Sequence, residues 1–422
     1  MDVLAHRPAI GHIPRLMTTR IGYFIPEFPG QTHMFFWREM EALREGGVVP
    51  EVVSTRLPDR AIMSHTWAEQ ARKETAYLFP PTFGSILGGC WTLLRAGPVG
   101  WWRTLAAWCS AEGKFRLLPL LFVGAQLAWL AARRGWRHVH VHSCANSAII
   151  AMFANRLRKL SYSITLHGPL RDYGPNQKLK WVHSSFAIVI TKKLMGEARE
   201  QLAGSLPPRI DLAPMGVDLK KFESAGSYRP WDGNGPVRLF SCGRLNPCKG
   251  HDDVVKAVAR VREQGLDVRL HIAGEDDTGG GMRRLLEQLK TEHRLTDAVV
   301  LLGAVSEDVI RKELSEAHAF VLGSLEEPLG VAIMEAMAMR VPVVVTGAGG
   351  VPELVTDGED GLLVPAREPA RMAESLLKLL RDPGLASRLS ESGRRKIETS
   401  FHSGVSAAVL RRCMDGVVPA QG

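Results

Sequence analysis

Several absences narrow what this chain can be. Its six cysteines contain no Cys-x-x-Cys pair and no zinc spacing, which removes thioredoxin-type redox motifs and zinc ribbons. No Gly-x-Gly-x-x-Gly follows the first apolar strand, where the sequence reads PEFPGQTHMFF, so a nicotinamide-binding Rossmann site is disfavoured. There is no Walker loop either. A membrane span needs about 20 apolar residues. The longest uncharged apolar run, Leu117–Ala132, has 16 and carries a proline. No secretory leader is evident, and with cysteines of this kind a reduced cytoplasmic compartment is expected. Residues 1–18 read as a loose extension.

Acidic residues are scarce in one half. Residues 1–210 hold 26 Lys/Arg against 13 Asp/Glu, a net charge of +13, whereas residues 211–422 hold 27 against 31, a net of −4. Between positions 75 and 170 there are 10 basic residues and a single acid, Glu112. Six of the ten tryptophans fall within Trp91–Trp136. Basic charge mixed with Trp and Leu suits an anionic membrane surface. A basic helical layer on a soluble core has the same composition, and both readings stay open. The expectation carried forward is peripheral association with the inner face of the cytoplasmic membrane. No nucleic-acid partner is expected, and the sequence does not set the oligomeric state.

At 422 residues the chain is too long for one typical domain. Short β-rich apolar runs alternate with helical segments throughout. In the first half strands are expected near Ile21–Pro26, Glu51–Ser54, His138–His142, Ser161–Leu166, Ala187–Thr191 and Ile210–Ala213. In the second half they fall near Val237–Ser241, Val268–Ala273, Val299–Gly303, Ala319–Leu322, Pro342–Thr346 and Gly361–Val364. Strands that are apolar on both faces and alternate with helices make parallel sheets. Two such series give an α/β chain of two doubly wound, Rossmann-like domains. Glu223–Pro236, rich in Gly, Ser and Pro, marks the boundary, giving domains at 1–225 and 232–399, with a C-terminal helix in 400–422 that packs back on the first. Ligands then sit at the carboxyl ends of the strands, in the cleft between the domains.

Two stretches carry chemistry. LFSCGRLNPCKGHDDVVKAV runs a strand into Gly243 and Arg244, then a loop, then Lys249 and a helix. Arg forks onto phosphate oxygens and Lys adds a point charge. EEPLGVAIMEAMAMRVPVVVTGAGGVPELV reads as a helix from Gly330 to Arg340 whose one charge before its last residue is Glu335. A carboxylate among buried apolar neighbours requires a partner, and a ribose diol is a fitting one. Pro328 keeps Glu327 outside the helix, and N–H groups near Val331 are unpaired helix-start donors.

The Glu-x7-Glu spacing of Glu327 and Glu335, the Gly-Arg-x-x-Pro-x-Lys-Gly of 243–250 and the Gly-x-Pro-Glu-Leu-Val that follows resemble family 4 (group 1) retaining glycosyltransferases. FPGQTHMFFWREMEALREGG, HVHVHSCANSAIIA, YSITLHGPLRDYG and PMGVDLKKF resemble its bacterial exopolysaccharide and colanic-acid-type subgroup, in order along the chain. The resemblance implies the two-domain GT-B fold and transfer of a sugar from a nucleotide-diphosphate sugar to a glycan or lipid-linked glycan. It implies that Arg244 and Lys249 clamp the diphosphate and that Glu335 holds the ribose. Glu327, with the backbone of Leu329, Gly330 and Val331, would hold the donor sugar. His167, in SITLHG, would contact that sugar near the transition state, and the loop Gly30, Gln31 and Thr32 would face the donor phosphates or acceptor. Two departures stand out. Pro328 follows the first Glu where the family often has Gly-Phe or Gly-Leu, and Cys248 precedes Lys249 where a basic residue is common.

His138, His140 and His142 alternate and so share one strand face. Three imidazoles can bind zinc, but no nearby Cys or carboxylate completes the set. His142 is taken as acceptor-side and the other two as structural. Glu275-Asp276-Asp277 lies in a Gly-rich loop and reads as solvating it. No metal and no other cofactor is expected. Two rival readings stay open: a nucleotide-sugar epimerase of the same fold, and a non-catalytic sugar-nucleotide-binding assembly factor.

Overall fold

A computed structural model describes residues 19–30, 33–58, 67–223, 226–276 and 280–417. The segment 1–18 lies outside them. In the first half, β1 (Thr19–Glu27), β2 (Val48–Arg56), β3 (Ala76–Phe79), β4 (His138–Val141), β5 (Ser161–Leu166), β6 (Ala187–Val189) and β7 (Ile210–Leu212) form one sheet in the order β3-β2-β1-β4-β5-β6-β7. In the second, β8 (Val237–Cys242), β9 (Val268–Ala273), β10 (Val299–Gly303), β11 (Ala319–Leu322), β12 (Val343–Thr346) and β13 (Leu362–Val364) form another in the order β10-β9-β8-β11-β12-β13. Every pairing between these strands is parallel. All twelve strands expected from the sequence form. β3 is the addition: a four-residue edge strand in which only Leu78 is buried, too short to show a pattern.

Alternation along β1 decides what covers each face. Ile21, Tyr23 and Ile25 pack with Trp37 and Met40 of the Met34–Glu45 helix. Phe24 faces the other way, into a core shared with Leu127 of the Leu118–Arg134 helix and Phe153 of the Asn146–Arg158 helix. The chain then returns from the second domain to the first. After the Pro383–Ser400 helix, the Ser403–Asp415 helix buries Leu410, Cys413 and Met414 in the core under β1. Backbone bonds tie the crossing, from the Val217 N–H to Phe401 O at 3.0 Å and from the Ser403 N–H to Val217 O at 3.0 Å.

β4 and β5 carry a polar ladder inside the first domain. Ser161 Oγ and Ser163 Oγ lie 2.8 and 2.7 Å from the two nitrogens of His138. Ser163 Oγ also lies 2.7 Å from His140 Nδ1, and Thr165 Oγ1 lies 2.8 Å from His140 Nε2. The parallel register that sets His138 beside Ser161 and His140 beside Ser163 builds this ladder. Each ring satisfies both nitrogens, which is what lets a polar side chain be buried at modest cost. Ser163 lies between His138 and His140, and Ser161 and Thr165 take their outer nitrogens, so the nitrogens of these two rings are occupied by β5 hydroxyls. Burial pushes His138 down to about 3 and His140 well below its ordinary value, so both are neutral.

Between about pH 6.5 and 3 the unfolded chain therefore binds protons that the folded chain refuses. The stability they contribute is complete above pH 6.5 and drains away as pH falls toward 3. Each such histidine contributes a slope of about 1.4 kcal/mol per pH unit in that window. Urea unfolding at pH 7, 6 and 5, followed by tryptophan fluorescence, should show this loss. Nine of the ten tryptophans lie before residue 211, so the signal reports the first domain. His138→Gln should flatten the pH slope, and an unchanged slope would show that His138 is not neutral in the fold.

Candidate active site

The carboxyl ends of the two sheets face one cavity of about 520 Å³ between the domains. From the first domain it receives His142, just past β4, and His167, just past β5. From the second it receives Arg244, past β8, and Lys249, on the single turn Pro247–Lys249. Glu327, Leu329, Gly330, Val331 and Glu335 line it as well. Gly30 is buried beside the cavity but does not line it; a Cβ there would meet the His33 ring at 2.8 Å. Gln31 and Thr32 lie outside the described residues. The Glu335 helix runs from Val331 to Ala338, shorter than the Gly330 to Arg340 expected.

Local backbone geometry fixes the second-domain groups. Asn246 Oδ1 accepts from the Cys248 N–H at 2.8 Å, which closes the turn that carries Lys249. Gly250 follows at φ 60, where a Cβ would lie 1.9 Å from Gly323 O. Only glycine fits a left-handed position in such contact with another chain segment. Lys249 Nζ then reaches Glu327 Oε2 at 2.5 Å, and Ser324 donates to the same oxygen at 3.2 Å. The sequence reading gave Lys249 and Glu327 separate tasks; the structure pairs them. Behind them, the Gly350 N–H donates to Glu327 O at 2.9 Å, so the glycine-rich loop buttresses Glu327. Pro328 lines the cavity opposite Gly168 of the first domain, 3.8 Å from where a Cβ would sit there. Away from this centre, Glu275 pairs with Arg283 at 3.0 Å and Asp276 Oδ1 accepts from the Arg283 N–H, so both hold their own loop.

The first-domain groups form a chain of neutral and acidic side chains. Tyr23 donates to Glu39, whose Oε2 lies 3.4 Å from His142 Nε2. His142 Nδ1 is 3.1 Å from His167 Nε2. Burial lowers His142 well below its ordinary value and His167 to about 3, with His33 adding to the latter. Both rings are therefore neutral. With both rings neutral, one nitrogen of the His142–His167 contact carries the proton and the other accepts it. Nδ1 is the remaining nitrogen of His167. It has no hydrogen-bond partner among the described residues, and its ring lines the cavity.

Glu335, left without a partner in the chain by the sequence reading, has one. Arg38, on the Met34–Glu45 helix, crosses from the first domain and places Nη2 2.7 Å from Glu335 Oε1 and 3.0 Å from Glu307 Oε2. Its side chain has no exposed surface, and its Cζ sits 4.7 Å over the Phe222 ring. Burial works against the charge on Arg38, and the two carboxylates more than reverse that. Burial likewise pushes Glu335 up, and Arg38 pulls it part of the way back. Nε and Nη1 of Arg38 have no hydrogen-bond partner among the described residues, although the residue lines the cavity. The test that singled out Glu335, a charge on an apolar helix face, applies equally to Arg38 in MFFWREMEALRE, where Met34, Trp37 and Met40 are also buried.

The arrangement is thus two cations and two carboxylates from one domain facing neutral imidazoles from the other. A sequence model of the family described as Glycosyl transferases group 1 matches residues 232–396. A colanic acid biosynthesis glycosyltransferase, WcaL, of Salmonella typhimurium is 30% identical over 407 residues, 91% of this chain and 96% of that protein. The chain belongs to the group 1 glycosyltransferases. It is similar, too, to a glycogen synthase of Mycobacterium tuberculosis, at 27% identity over 310 residues, 70% of this chain and 72% of the relative. Among solved structures, sucrose-phosphate synthase from Thermosynechococcus elongatus matches with a TM-score of 0.73 at 19% identity, covering 96% of this chain and all of that one. Anabaena HepE, solved in complex with UDP-glucose, matches with a TM-score of 0.71 at 17% identity over 94% of this chain and 100% of its own. The two facing sheets of this group 1 glycosyltransferase are the GT-B fold.

Removing one partner of a buried ion pair strands the others. Arg38→Met should destabilise the protein by about 3–5 kcal/mol, because Glu335 and Glu307 lose their shared cation. Combining it with Glu335→Gln should restore much of that. Denaturant unfolding of the single and double variants measures the coupling, and additive effects would show that the pair does not hold the domains together.

Proposed function

We propose that the chain is a retaining, metal-independent glycosyltransferase. It moves a sugar from a nucleotide-diphosphate sugar to a glycan or lipid-linked glycan during synthesis of a cell-surface polysaccharide. The observation that carries this reading is the meeting of Arg244, Lys249, Glu327, Glu335 and His167 in one interdomain cavity. Breaking a glycosyl–phosphate bond leaves negative charge on the diphosphate and builds positive charge on the sugar. Fixed cations at the first and anionic or neutral acceptors at the second lower that barrier.

Each residue then has a task. Arg244 and Lys249 clamp the diphosphate. As Lys249 turns to the phosphates it releases Glu327, which takes up hydroxyls of the sugar. Glu335 offers Oε2 to the ribose while Oε1 stays on Arg38; among the described residues Oε2 has no other bond. His167 meets a sugar hydroxyl at Nδ1, which has no hydrogen-bond partner among the described residues. The leaving diphosphate takes the acceptor's proton on the face it departs from, which gives retention of configuration. UDP-glucose bound by HepE and the name of the colanic acid relative support the donor class and the polysaccharide role. The two cations support a reaction that needs no metal to neutralise the diphosphate.

A thermal-shift screen of nucleotide sugars should find one donor that raises the melting temperature selectively, by mass action. With that donor, Lys249→Ala should lower turnover by about 10²–10³-fold, as for loss of one charge-stabilising donor elsewhere, and a chelator should leave wild-type turnover unchanged. Epimerisation of the donor with no acceptor present would favour the epimerase reading. Wild-type turnover no greater than that of Lys249→Ala and Glu335→Ala would favour a non-catalytic binder.

A further inference from the structure

The helices between β3 and β4 are patterned in reverse. Phe83–Leu94 and Gly97–Cys109 bury their small residues: Gly88, Gly89 and Thr92 in the first, Gly100, Thr104 and Ala107 in the second. A Cβ at Gly88 would sit 2.2 Å from the Trp129 ring, and one at Gly100 would sit 2.7 Å from Leu157 O, so the inner faces are closed to anything larger. The large residues point outward. Of the 17 exposed large hydrophobic side chains among the described residues, 12 lie between Phe79 and Leu118. Leu94, Trp102 and Phe83 are 79%, 74% and 77% exposed. A helix on the surface of a soluble domain shows the opposite order, and a contiguous exposed apolar face marks a surface that meets something apolar.

The charges around it choose the partner. Arg95 and Arg116 are exposed and Lys114 half-buried at this face, against one acid, Glu112. Arg95 lies over the Trp91 ring, its Cζ 4.8 Å from the centroid. A second copy of the chain would bring the same cationic rim against itself. Anionic headgroups complement that rim while acyl chains take Trp, Leu and Phe. At 12 and 13 residues the two helices are too short to span. The Lys114–Leu117 turn and the Leu118–Arg134 helix together have the length and composition to cross a bilayer, but Leu121, Leu127, Ala128 and Ala131 sit in the domain core.

We propose that the two helices, with the Lys114–Leu117 turn, form a face that inserts into the interface of an anionic bilayer. The loop that follows the second helix bonds to a segment that leads to the cleft. The Glu112 N–H donates to Asn176 Oδ1 at 2.7 Å, and Asn176 Nδ2 donates back to Glu112 O at 3.1 Å. Three residues before Asn176, Tyr173 lines the cavity. A lipid-linked acceptor held in the bilayer would thus meet the cleft at this edge, a consequence that rests on the transferase reading; the docking itself does not.

Flotation of the full chain with phosphatidylcholine vesicles, with and without phosphatidylglycerol, tests it with no reference to turnover. Recovery should be strong with the anionic vesicles, weak with the neutral ones, and reduced by salt. Leu94→Glu with Trp102→Glu should lower binding by about tenfold or more, with an unchanged circular dichroism spectrum to show the fold intact. Arg95→Glu with Arg116→Glu should remove the preference for anionic lipid. No recovery on anionic vesicles, or recovery by the Leu94/Trp102 variant equal to wild type, overturns the proposal. So does a lipid-free dimer that the same variant dissolves, which would give the face to a second copy.

Discussion

A guanidinium enclosed between two domains is tolerated only where carboxylates meet it. Arg38 supplies that constraint: it leaves the first domain, stacks on Phe222, and meets Glu335 and Glu307 of the second. Taking such ions out of water costs several kcal/mol apiece, and their attraction offsets the loss only in good geometry. The pair therefore contributes less to raw stability than to registry. The domains close with Arg38 opposite Glu335, and closure in any other register leaves these two buried charges without each other. That registry sets the height at which Glu335 faces the cavity. Glu353 gives a second tie, accepting the Lys192 and Lys193 N–H groups at the start of a first-domain helix at 2.7 and 2.9 Å.

The same closure divides the chemistry. The charged groups of the cavity come mainly from the second domain, while the first contributes imidazoles that burial keeps neutral. In the proposed reaction this division is useful. The sugar gains positive charge as its bond to the diphosphate breaks, and an imidazolium beside it would oppose that charge. Burial prevents this by lowering His167 to about 3. The ladder below His142 extends the same logic into the core, where His138 and His140 are satisfied by Ser161, Ser163 and Thr165 without becoming charged.

Most of the architecture was legible because it rests on local pattern. Apolar runs of four to six residues announced twelve strands, and β3 escaped because its four residues bury one side chain. At the site, residue types and short spacings pointed to the second-domain loops. What they could not reveal was pairing at long separation. Lys249 and Glu327 are 78 positions apart, and Arg38 and Glu335 are 297 apart. No sequence period connects such residues; only the closure of two sheets does. The chain of Tyr23, Glu39, His142 and His167 was hidden for the same reason, since its members lie on β1, a helix, and the ends of β4 and β5.

One question exposes both unusual surfaces of this chain: which residues sit in the wrong solvent. Glu335 and Arg38 are charges in an apolar interior, and each accounts for the other. Leu94, Trp102 and Phe83 are apolar groups in water, and nothing among the described residues covers them. A sequence free to place leucine and tryptophan inward would not close those inner faces with Gly88, Gly89 and Gly100. The packing against Trp129 and the Leu157 backbone shows that small residues are required there, so the outward position of the large ones follows from the fold. A fold that fixes such an apolar face on its first domain sets where that domain can meet an apolar partner.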